Sequence, residues 1–134
     1  MRYSILYTDG VKRYYEEGFL HREDYPAVEY DNGDKYWYKN GKLHREGGPA
    51  IELANGSKEW WQNGKYHRDD GPAIEYFHGT KEWYKNGELH REDGPALEHF
   101  SGTKFWCLKN NLHGKNGDFT NESWKKFVKT ILFS

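Results

Sequence analysis

Histidine and arginine recur as an adjacent pair at a constant step of 23 residues. The pairs are His21-Arg22, His44-Arg45, His67-Arg68 and His90-Arg91, and a fifth histidine follows at His113. Histidine binds metals and acts as a general base, while arginine binds carboxylates and phosphates. The pattern therefore raises three hypotheses: a metal site, a catalytic site, and a surface that binds a charged ligand or partner.

The spacing of the histidines argues against a shared metal ion. If each 23-residue unit adds two strands to a sheet, at about 4.8 Å per strand, equivalent histidines lie roughly 10 Å apart. Zinc holds its nitrogen ligands at about 2.0–2.1 Å, so one ion cannot bridge two units. The chain has one cysteine, Cys107, and neither a CxxC nor an HExxH motif. We predict no metal site.

Repetition of identical residues also argues against catalysis. An active site brings unlike groups with differently tuned pKa values to one reacting atom. A repeat at fixed spacing instead predicts rows of identical side chains. The sequence contains no Gly-x-Ser-x-Gly motif and no phosphate-binding glycine loop that opens a helix. We predict a non-enzymatic protein with no catalytic residues and no cofactor.

The histidine–arginine pairs are better explained as parts of turns. We expect each histidine to hold its turn by hydrogen bonds. We also expect each arginine to form an ion pair with a nearby acid. For Arg45, Arg68 and Arg91, acids of this kind are Glu46, Asp69 and Glu92.

Further markers with the same step predict a β-repeat array. They are Pro26, Pro49, Pro72 and Pro95, then Gly10, Gly33, Gly56, Gly79 and Gly102, and the aromatic residues Tyr14, Trp37, Trp60, Trp83 and Trp106. Asn-Gly pairs supply the positive φ that tight hairpins need, and short β-favouring segments lie between them. Because a unit this small cannot bury its own apolar face, neighbouring units must stack.

The predicted fold is therefore all-β: an elongated antiparallel sheet or hairpin array of about five repeats. We place the repeats near residues 3–25, 26–48, 49–71, 72–94 and 95–117, so that the array spans residues 1–117. The composition fits this fold, with 6 Trp, 11 Tyr and 7 Phe in 134 residues and a mean hydropathy of −1.15. A helical bundle needs far more aliphatic residues, and disordered chains are poor in aromatic ones.

Residues 118–134 differ from the repeats and predict an α-helix. Thr120 can cap it, and Trp124, Phe127, Val128 and Ile131 follow the spacing of one helical face. We predict that this helix caps the open end of the sheet, because an uncovered sheet end invites further pairing.

The chain carries no signal for a membrane or for nucleic acid. It has no apolar run long enough to span a bilayer and no signal-peptide pattern at its N-terminus. Its 20 basic and 21 acidic residues give a net charge of −1, which argues against phosphate-driven binding of nucleic acid. A single cysteine suits a reducing compartment, so we expect a cytoplasmic protein.

One segment resembles a known repeat family. It reads Trp83-Tyr84-Lys85-Asn86-Gly87-Glu88-Leu89-His90-Arg91-Glu92-Asp93-Gly94-Pro95-Ala96, and it is similar to the MORN-repeat variant family of bacteria and bacteriophages. The similarity covers about residues 3–117 through the 23-residue period, the aromatic residue before Asn-Gly, and the turn glycines. The resemblance implies an elongated β-sheet that serves as an interaction or scaffold module. Some bacterial members are similar to the YwqK family of antitoxin type, which implies neutralisation of a toxin or of a host defence component.

A second aromatic row follows the first along the chain. Alternation within a strand predicts that the first row is core and that the second faces the other way, at Tyr15, Tyr38, Trp61 and Tyr84. Aromatic residues flanked by arginines are favoured at binding surfaces. Shielding of the second sheet face against lysine stems explains the row equally well.

We predict a protein-binding surface that consists of this row together with Arg45, Arg68 and Arg91. The alternative is a nucleotide-like small ligand held between the rings and the arginines. Open sheet edges also allow a homodimer.

Overall fold

A computed structural model describes residues 2–133 of the protein. Within that range the chain forms short strands, a 3₁₀ turn at Asn116–Asp118 and an α-helix, α1, at Asn121–Leu132. The strands are β1 (Tyr3–Thr8), β2 (Val11–Glu16), β3 (Phe19–Leu20), β4 (Val28–Tyr30), β5 (Lys35–Tyr36), β6 (Tyr38–Lys39), β7 (Lys42–Leu43), β8 (Ile51–Glu52), β9 (Lys58–Glu59), β10 (Trp61–Gln62), β11 (Lys65–Tyr66), β12 (Ile74–Glu75), β13 (Lys81–Glu82), β14 (Tyr84–Lys85), β15 (Glu88–Leu89), β16 (Leu97–Glu98), β17 (Lys104–Leu108) and β18 (Asn111–Lys115). The protein is an all-β array closed by a C-terminal helix, which confirms the predicted fold class.

One antiparallel sheet runs through the whole array, in the order β1-β2-β4-β5-β8-β9-β12-β13-β16-β17-β18. Each central repeat contributes two strands to it, and β3 pairs with β2 beside this path. In the middle of the sheet Ile74 lies opposite both Glu59 and Glu82, while Glu75 lies opposite Lys58 and Lys81. Because successive side chains of a strand point to opposite faces, Ile74 and Glu82 share one face and Glu75 lies on the other.

The chain leaves this main sheet at the first aromatic residue of each central repeat. Strands β5, β9 and β13 end just before Trp37, Trp60 and Trp83. The residues that follow form separate two-stranded hairpins, β6–β7, β10–β11 and β14–β15. The sequence predicted that the two aromatic rows alternate along one strand. In these repeats the prediction is wrong, because the first row follows the end of a main-sheet strand and the second row lies in a separate hairpin. Only in the first repeat do Tyr14 and Tyr15 share a strand, β2.

The burial of the two aromatic rows also differs from the prediction of one core row and one open row. Trp37 and Trp106 are buried, whereas Trp60 and Trp83 are only half-buried. All four residues of the second row are half-buried as well. At the contacts between repeats the fully buried positions are small, because Ala27, Ala50, Ala73 and Ala96 have no exposed surface.

These alanines lie where consecutive repeats meet most closely. The backbone N–H of each of the first four residues in the first aromatic row donates to the alanine carbonyl at the start of the next repeat, for example Trp60 to Ala73 at 2.7 Å and Trp83 to Ala96 at 2.7 Å. A larger side chain would have to fit into a fully buried position at this contact. Ile51 and Ile74 follow two of the alanines and extend the buried line.

Polar side chains add a second connection between repeats. Asp34, Ser57 and Thr80 each accept a hydrogen bond from a backbone N–H twenty residues later, in the next repeat. The distances are 2.7, 3.0 and 3.1 Å, and Ser57 and Thr80 are buried. These bonds satisfy backbone donors that the short strands leave outside the sheet.

The C-terminal helix covers the last strands of the sheet, as predicted. Thr120 caps it by accepting a hydrogen bond from the Ser123 N–H, and Trp124 and Val128 are buried against Trp106 and Leu108. The indole N–H of Trp124 donates to the Arg91 carbonyl at 2.9 Å. No helix among residues 2–133 is long and apolar enough to cross a membrane.

Candidate binding surfaces

Each histidine of the repeated pair connects its own turn to the next repeat. The ring Nδ1 accepts a hydrogen bond of 3.0 Å from a backbone N–H nineteen residues later: His21 from Asn40, His44 from Asn63, His67 from Asn86 and His90 from Lys109. A nitrogen that accepts carries no proton, so Nε2 carries it and donates to the acid two residues on. These acids are Glu23, Glu46, Asp69 and Glu92. The prediction that the histidines hold turns by hydrogen bonds is confirmed.

The first repeat contains one group of potential metal ligands. In Glu16, His21 and Glu23 the ligand atoms lie within 4.8 Å of one another. A metal-bound histidine donates its other ring N–H to a neighbour. Here the other nitrogen, Nδ1 of His21, accepts from the Asn40 N–H, so the proton occupies the nitrogen that faces the two glutamates. The cluster is therefore explained as a hydrogen-bonded turn and does not fit a metal site.

Each arginine of the pair stacks on the first aromatic residue of its repeat. The guanidinium carbon lies 3.8–3.9 Å from the ring centroid in four pairs: Arg22 on Tyr14, Arg45 on Trp37, Arg68 on Trp60 and Arg91 on Trp83. The same guanidinium donates from Nη1 to the proline carbonyl four residues later, at 3.0–3.2 Å. Stacking and hydrogen bonding together fix the arginine over the ring.

The acid partners of the arginines differ from the predicted ones. Nη1 pairs with the glutamate seven residues later, for Arg45 with Glu52, for Arg68 with Glu75 and for Arg91 with Glu98, at 3.1–3.2 Å. The predicted partners, Glu46, Asp69 and Glu92, instead accept from the histidines. Strand alternation explains the difference, because it places the later glutamate on the sheet face toward which the arginine extends.

The second aromatic row packs as a stack between hairpins. The ring centroids of Trp61 and Tyr66 lie 3.9 Å apart, and those of Tyr66 and Tyr84 lie 5.0 Å apart. The indole N–H of Trp61 donates to Glu59 at 3.0 Å, and the Tyr84 hydroxyl donates to Glu82 at 2.8 Å. Burial, together with these carboxylates, raises the pKa of Tyr66 and of Tyr84 well above the usual tyrosine value.

The other two residues of the row have different surroundings. Burial raises the pKa of the half-buried Tyr38, and the nearby Tyr30 adds to the effect. Tyr15 lies at the N-terminal end of the array, where it lines an apolar cavity of about 320 Å³ together with Tyr3, Ile5 and Tyr14. The row is therefore continuous only through the middle repeats.

In the middle repeats, the arginines and the second aromatic row lie against opposite faces of the main sheet. Arg68 pairs with Glu75, whereas Tyr84 bonds to Glu82, and these two glutamates point to opposite faces. The structure therefore brings Arg45, Arg68 and Arg91 together as one row and Trp61 and Tyr84 as part of another. Between the two rows of predicted site residues, all of which the structure describes, only Tyr38 and Arg45 line a common groove.

The arginine side of the array carries a series of grooves between consecutive His-Arg turns. Three of them have volumes of about 220, 660 and 520 Å³ along the chain. Trp83 lies in the last groove between Arg68 and Arg91, and Lys85 lines it as well. The carboxylates of the turns line the grooves: Glu23, Asp24, Glu46, Asp69, Asp70, Glu92 and Asp93.

These turn carboxylates were missed as candidate site residues. Asp70 is 88% exposed and Asp69 and Glu46 are each 80% exposed, although each forms one intramolecular bond. The guanidiniums between them are already paired with Glu52, Glu75 and Glu98. The signal was present in the sequence, because an acid follows His-Arg in every one of the four pairs.

Comparison with known proteins does not place the chain in a family. The chain matches no known family model, and no curated protein matches it significantly. The resemblance to MORN repeats rests on the repeat residues themselves.

Proposed function

We propose that the protein is a non-enzymatic interaction module that binds a protein partner through the row of grooves between its His-Arg turns. The observation that carries this proposal is the set of exposed turn carboxylates that line every groove, which we call the carboxylate rim. Each part of the rim lies on a rigid turn. Each turn is fixed by histidine and arginine bonds, so that the rim needs little ordering when a partner binds.

The electrostatics of the grooves indicate the chemistry of the partner. In the groove between Arg68 and Arg91 each guanidinium pairs through Nη1 with a sheet glutamate and through Nε with a turn aspartate. With Lys85, three cationic side chains therefore lie against the four turn carboxylates that line the groove and the two sheet glutamates. Such a groove fits lysine or arginine side chains that arrive at the spacing of the repeats. The half-buried tryptophan in the groove offers a ring face for the apolar stem of such a side chain.

The proposed partner class is a toxin or a host defence component that presents a basic surface. The resemblance to bacterial and phage MORN-repeat variants and to antitoxin-type proteins favours this class. Neutralisation would then consist of covering that basic surface. The proposal includes a cytoplasmic location, which suits a chain whose single cysteine, Cys107, is buried and unpaired.

The predicted site residues take distinct roles in this proposal. Arg45, Arg68 and Arg91 shape the grooves and hold the tryptophan faces. Tyr15, Tyr38, Trp61 and Tyr84 support the hairpins and are available to a partner only through their exposed parts. A nucleotide-like ligand has less support, because its phosphates would meet the carboxylate rim while the guanidiniums are engaged.

The test is affinity capture from the native host with full-length protein. We expect the wild type to recover one stoichiometric protein, and binding of that purified protein to weaken as salt rises. The double variant Asp70→Asn with Asp93→Asn should weaken this binding at least tenfold. The matched control is Glu122→Gln, which neutralises an exposed carboxylate on α1 and should bind like the wild type.

Two results would contradict the proposal. One is capture that recovers no stoichiometric protein. The other is a captured protein that the double variant and the control bind with equal affinity. Release of a nucleotide-like molecule from purified protein, detected by mass spectrometry after heating, would instead support the small-ligand alternative.

A further inference from the structure

The first strand of the main sheet presents an open edge. β1 lies at the end of the strand order, and all six of its residues are exposed. The two-residue turn at Asp9-Gly10 and the bond from the Glu17 N–H to the Arg2 carbonyl set its register against β2. In this register the even-numbered residues of β1 bond to β2, and the backbone N–H and C=O of Ile5 and Tyr7 point away from the sheet.

This edge is apolar and uncharged. The side chains of Tyr3, Ile5, Leu6 and Tyr7 are 66%, 61%, 47% and 59% exposed. Natural sheet edges are usually protected by charged residues, proline, bulges or a covering element. The strand from Tyr3 to Thr8 contains no charged residue and no proline.

The opposite edge of the same sheet is protected. β18 ends in Lys115, and the pairing of β17 with β18 shifts register between Trp106 and Cys107. Helix α1 packs beside it through Trp124 and Phe127, whose rings lie near His113 of β18. The two ends of the main sheet are therefore unlike: β18 has an irregular register and lies beside α1, whereas every residue of β1 is exposed.

We propose that a second copy of this chain pairs with β1 and forms a two-fold symmetric dimer. The strand sequence is self-complementary about Ile5. When two copies pair antiparallel around a two-fold axis at this residue, Ile5 lies opposite Ile5 and Tyr3 lies opposite Tyr7 of the second copy. In this register the outward-pointing N–H and C=O of Ile5 in one copy bond to the C=O and N–H of Ile5 in the other copy, as an antiparallel ladder requires.

The apolar surface is sufficient for a dimer of modest affinity. An aromatic side chain offers about 150–250 Å² and an aliphatic one less, so the exposed parts of the two tyrosines, Ile5 and Leu6 give at most about 400 Å² on each copy. Together with the paired backbone, the total approaches the roughly 1,000 Å² of a specific interface. Tyr7 of the second copy would lie beside Tyr3, at the cavity of about 320 Å³ that Tyr14 and Tyr15 also line.

The test is the molar mass of the full chain in solution, measured by sedimentation over about 1–100 µM, the range in which a weak dimer with a small interface dissociates. We expect a monomer–dimer equilibrium. Ile5→Lys places two like charges opposite each other and should weaken the dimer at least tenfold. Phe77→Lys is the matched control, because Phe77 is 66% exposed at a turn of a later repeat and should leave the dimer unchanged. Thermal melting of both variants checks that they fold.

Cysteine cross-linking tests the register. Directly opposite residues in a bonded antiparallel pair have Cα atoms about 5.5 Å apart, which a disulfide can bridge. Ile5→Cys should therefore form a covalent dimer on mild oxidation, whereas Ser4→Cys should not. A chain that is monomeric at about 100 µM would overturn the proposal. So would a dimer that Ile5→Lys leaves intact, or open-ended oligomers. The groove variant Asp70→Asn with Asp93→Asn should dimerise normally, so this proposal and the proposed function fail separately.

Discussion

Gly94 lies directly against the guanidinium of Arg91, since a Cβ atom at residue 94 would come within 2.6 Å of the Arg91 Cζ. The same relationship joins Gly71 to Arg68, at 2.8 Å, and Gly48 to Arg45, at 3.0 Å. None of these three glycines has a positive φ. Lack of space above the stacked arginine, and not backbone conformation, therefore requires glycine at this position.

Replacement of this glycine should displace the arginine. In Gly94→Ala the flexible Arg91 side chain can move, but it then loses its stacking on Trp83 and its hydrogen bonds. We expect the free energy of unfolding to fall by about 1–2 kcal/mol, measured by urea denaturation. Gly117→Ala is the control, because a Cβ there meets no atom within 4 Å. Equal stability of the two variants would contradict the steric explanation.

The histidine bonds between repeats predict a cost for removing one ring. His44→Leu removes a buried ring that connects two repeats, which leaves the Asn63 N–H without its acceptor and the exposed Glu46 carboxylate without its donor. The free energy of unfolding should fall by about 1–3 kcal/mol in chemical denaturation. His113→Leu is the matched control, since His113 belongs to the same series but is exposed and lies near rings of α1. A loss as large in the control would show that the inter-repeat bond is not the cause.

The C-terminal helix should contribute strongly to stability through one residue. Trp124 has no exposed surface and packs on Trp106, so Trp124→Ala removes a large buried ring and uncovers the last strands. We expect a loss of about 3–5 kcal/mol in the free energy of unfolding. Phe133→Ala, at a side chain that is 77% exposed, should change it little. A small effect of Trp124→Ala would mean that the array is stable without its cap.

Alkaline pH should destabilise the protein through the stacked tyrosines. The pKa of Tyr66 and of Tyr84 is raised in the folded state from the usual 10.0, because burial and the carboxylates disfavour the phenolate. Above about pH 10 the unfolded chain loses these protons first, so the folded state binds more protons and stability falls as pH rises. Below that pH both states keep the protons and this contribution is constant.

The measurement is the free energy of unfolding as a function of pH, taken from neutral to alkaline solution. The double variant Tyr66→Phe with Tyr84→Phe should show a smaller decline above about pH 10 than the wild type. Tyr25→Phe, at an exposed ring, should leave the decline unchanged. If the double variant follows the wild-type curve, these two phenols do not cause the decline.

The repeat step predicted the array because its markers lie close together in sequence. Asn86-Gly87 forms the expected hairpin turn, with φ values of 50° and 82°. Thr120 and Trp124 likewise mark the capping helix through local spacing alone. Such features depend on neighbouring residues, so a single sequence contains them.

Contacts that depend on how the chain folds back on itself could not be predicted from the sequence in the same way. Glu46 is adjacent to Arg45 in sequence, but Arg45 pairs with Glu52, because the turn directs the arginine back over the sheet. The break in the strand at Trp83 was also hidden, since Trp83 and Tyr84 both favour β-structure. Its cause is the close approach of the Trp83 N–H to Ala96 of the next repeat, a contact that exists only after stacking.

The bonds between repeats have a consequence for how such a chain can change in length. Each unit contacts the next through backbone N–H groups that lie nineteen and twenty residues after their side-chain acceptors. Removal of residues 49–71 would bring Asn86 into the place of Asn63 beside His44, and Glu75 into the place of Glu52 beside Arg45. The array thus has translational symmetry along the sheet, and the 23-residue period is the unit that can be inserted or deleted. Whole periods can be gained or lost while every junction keeps its bonding pattern, and the number of grooves offered to a partner changes by one each time.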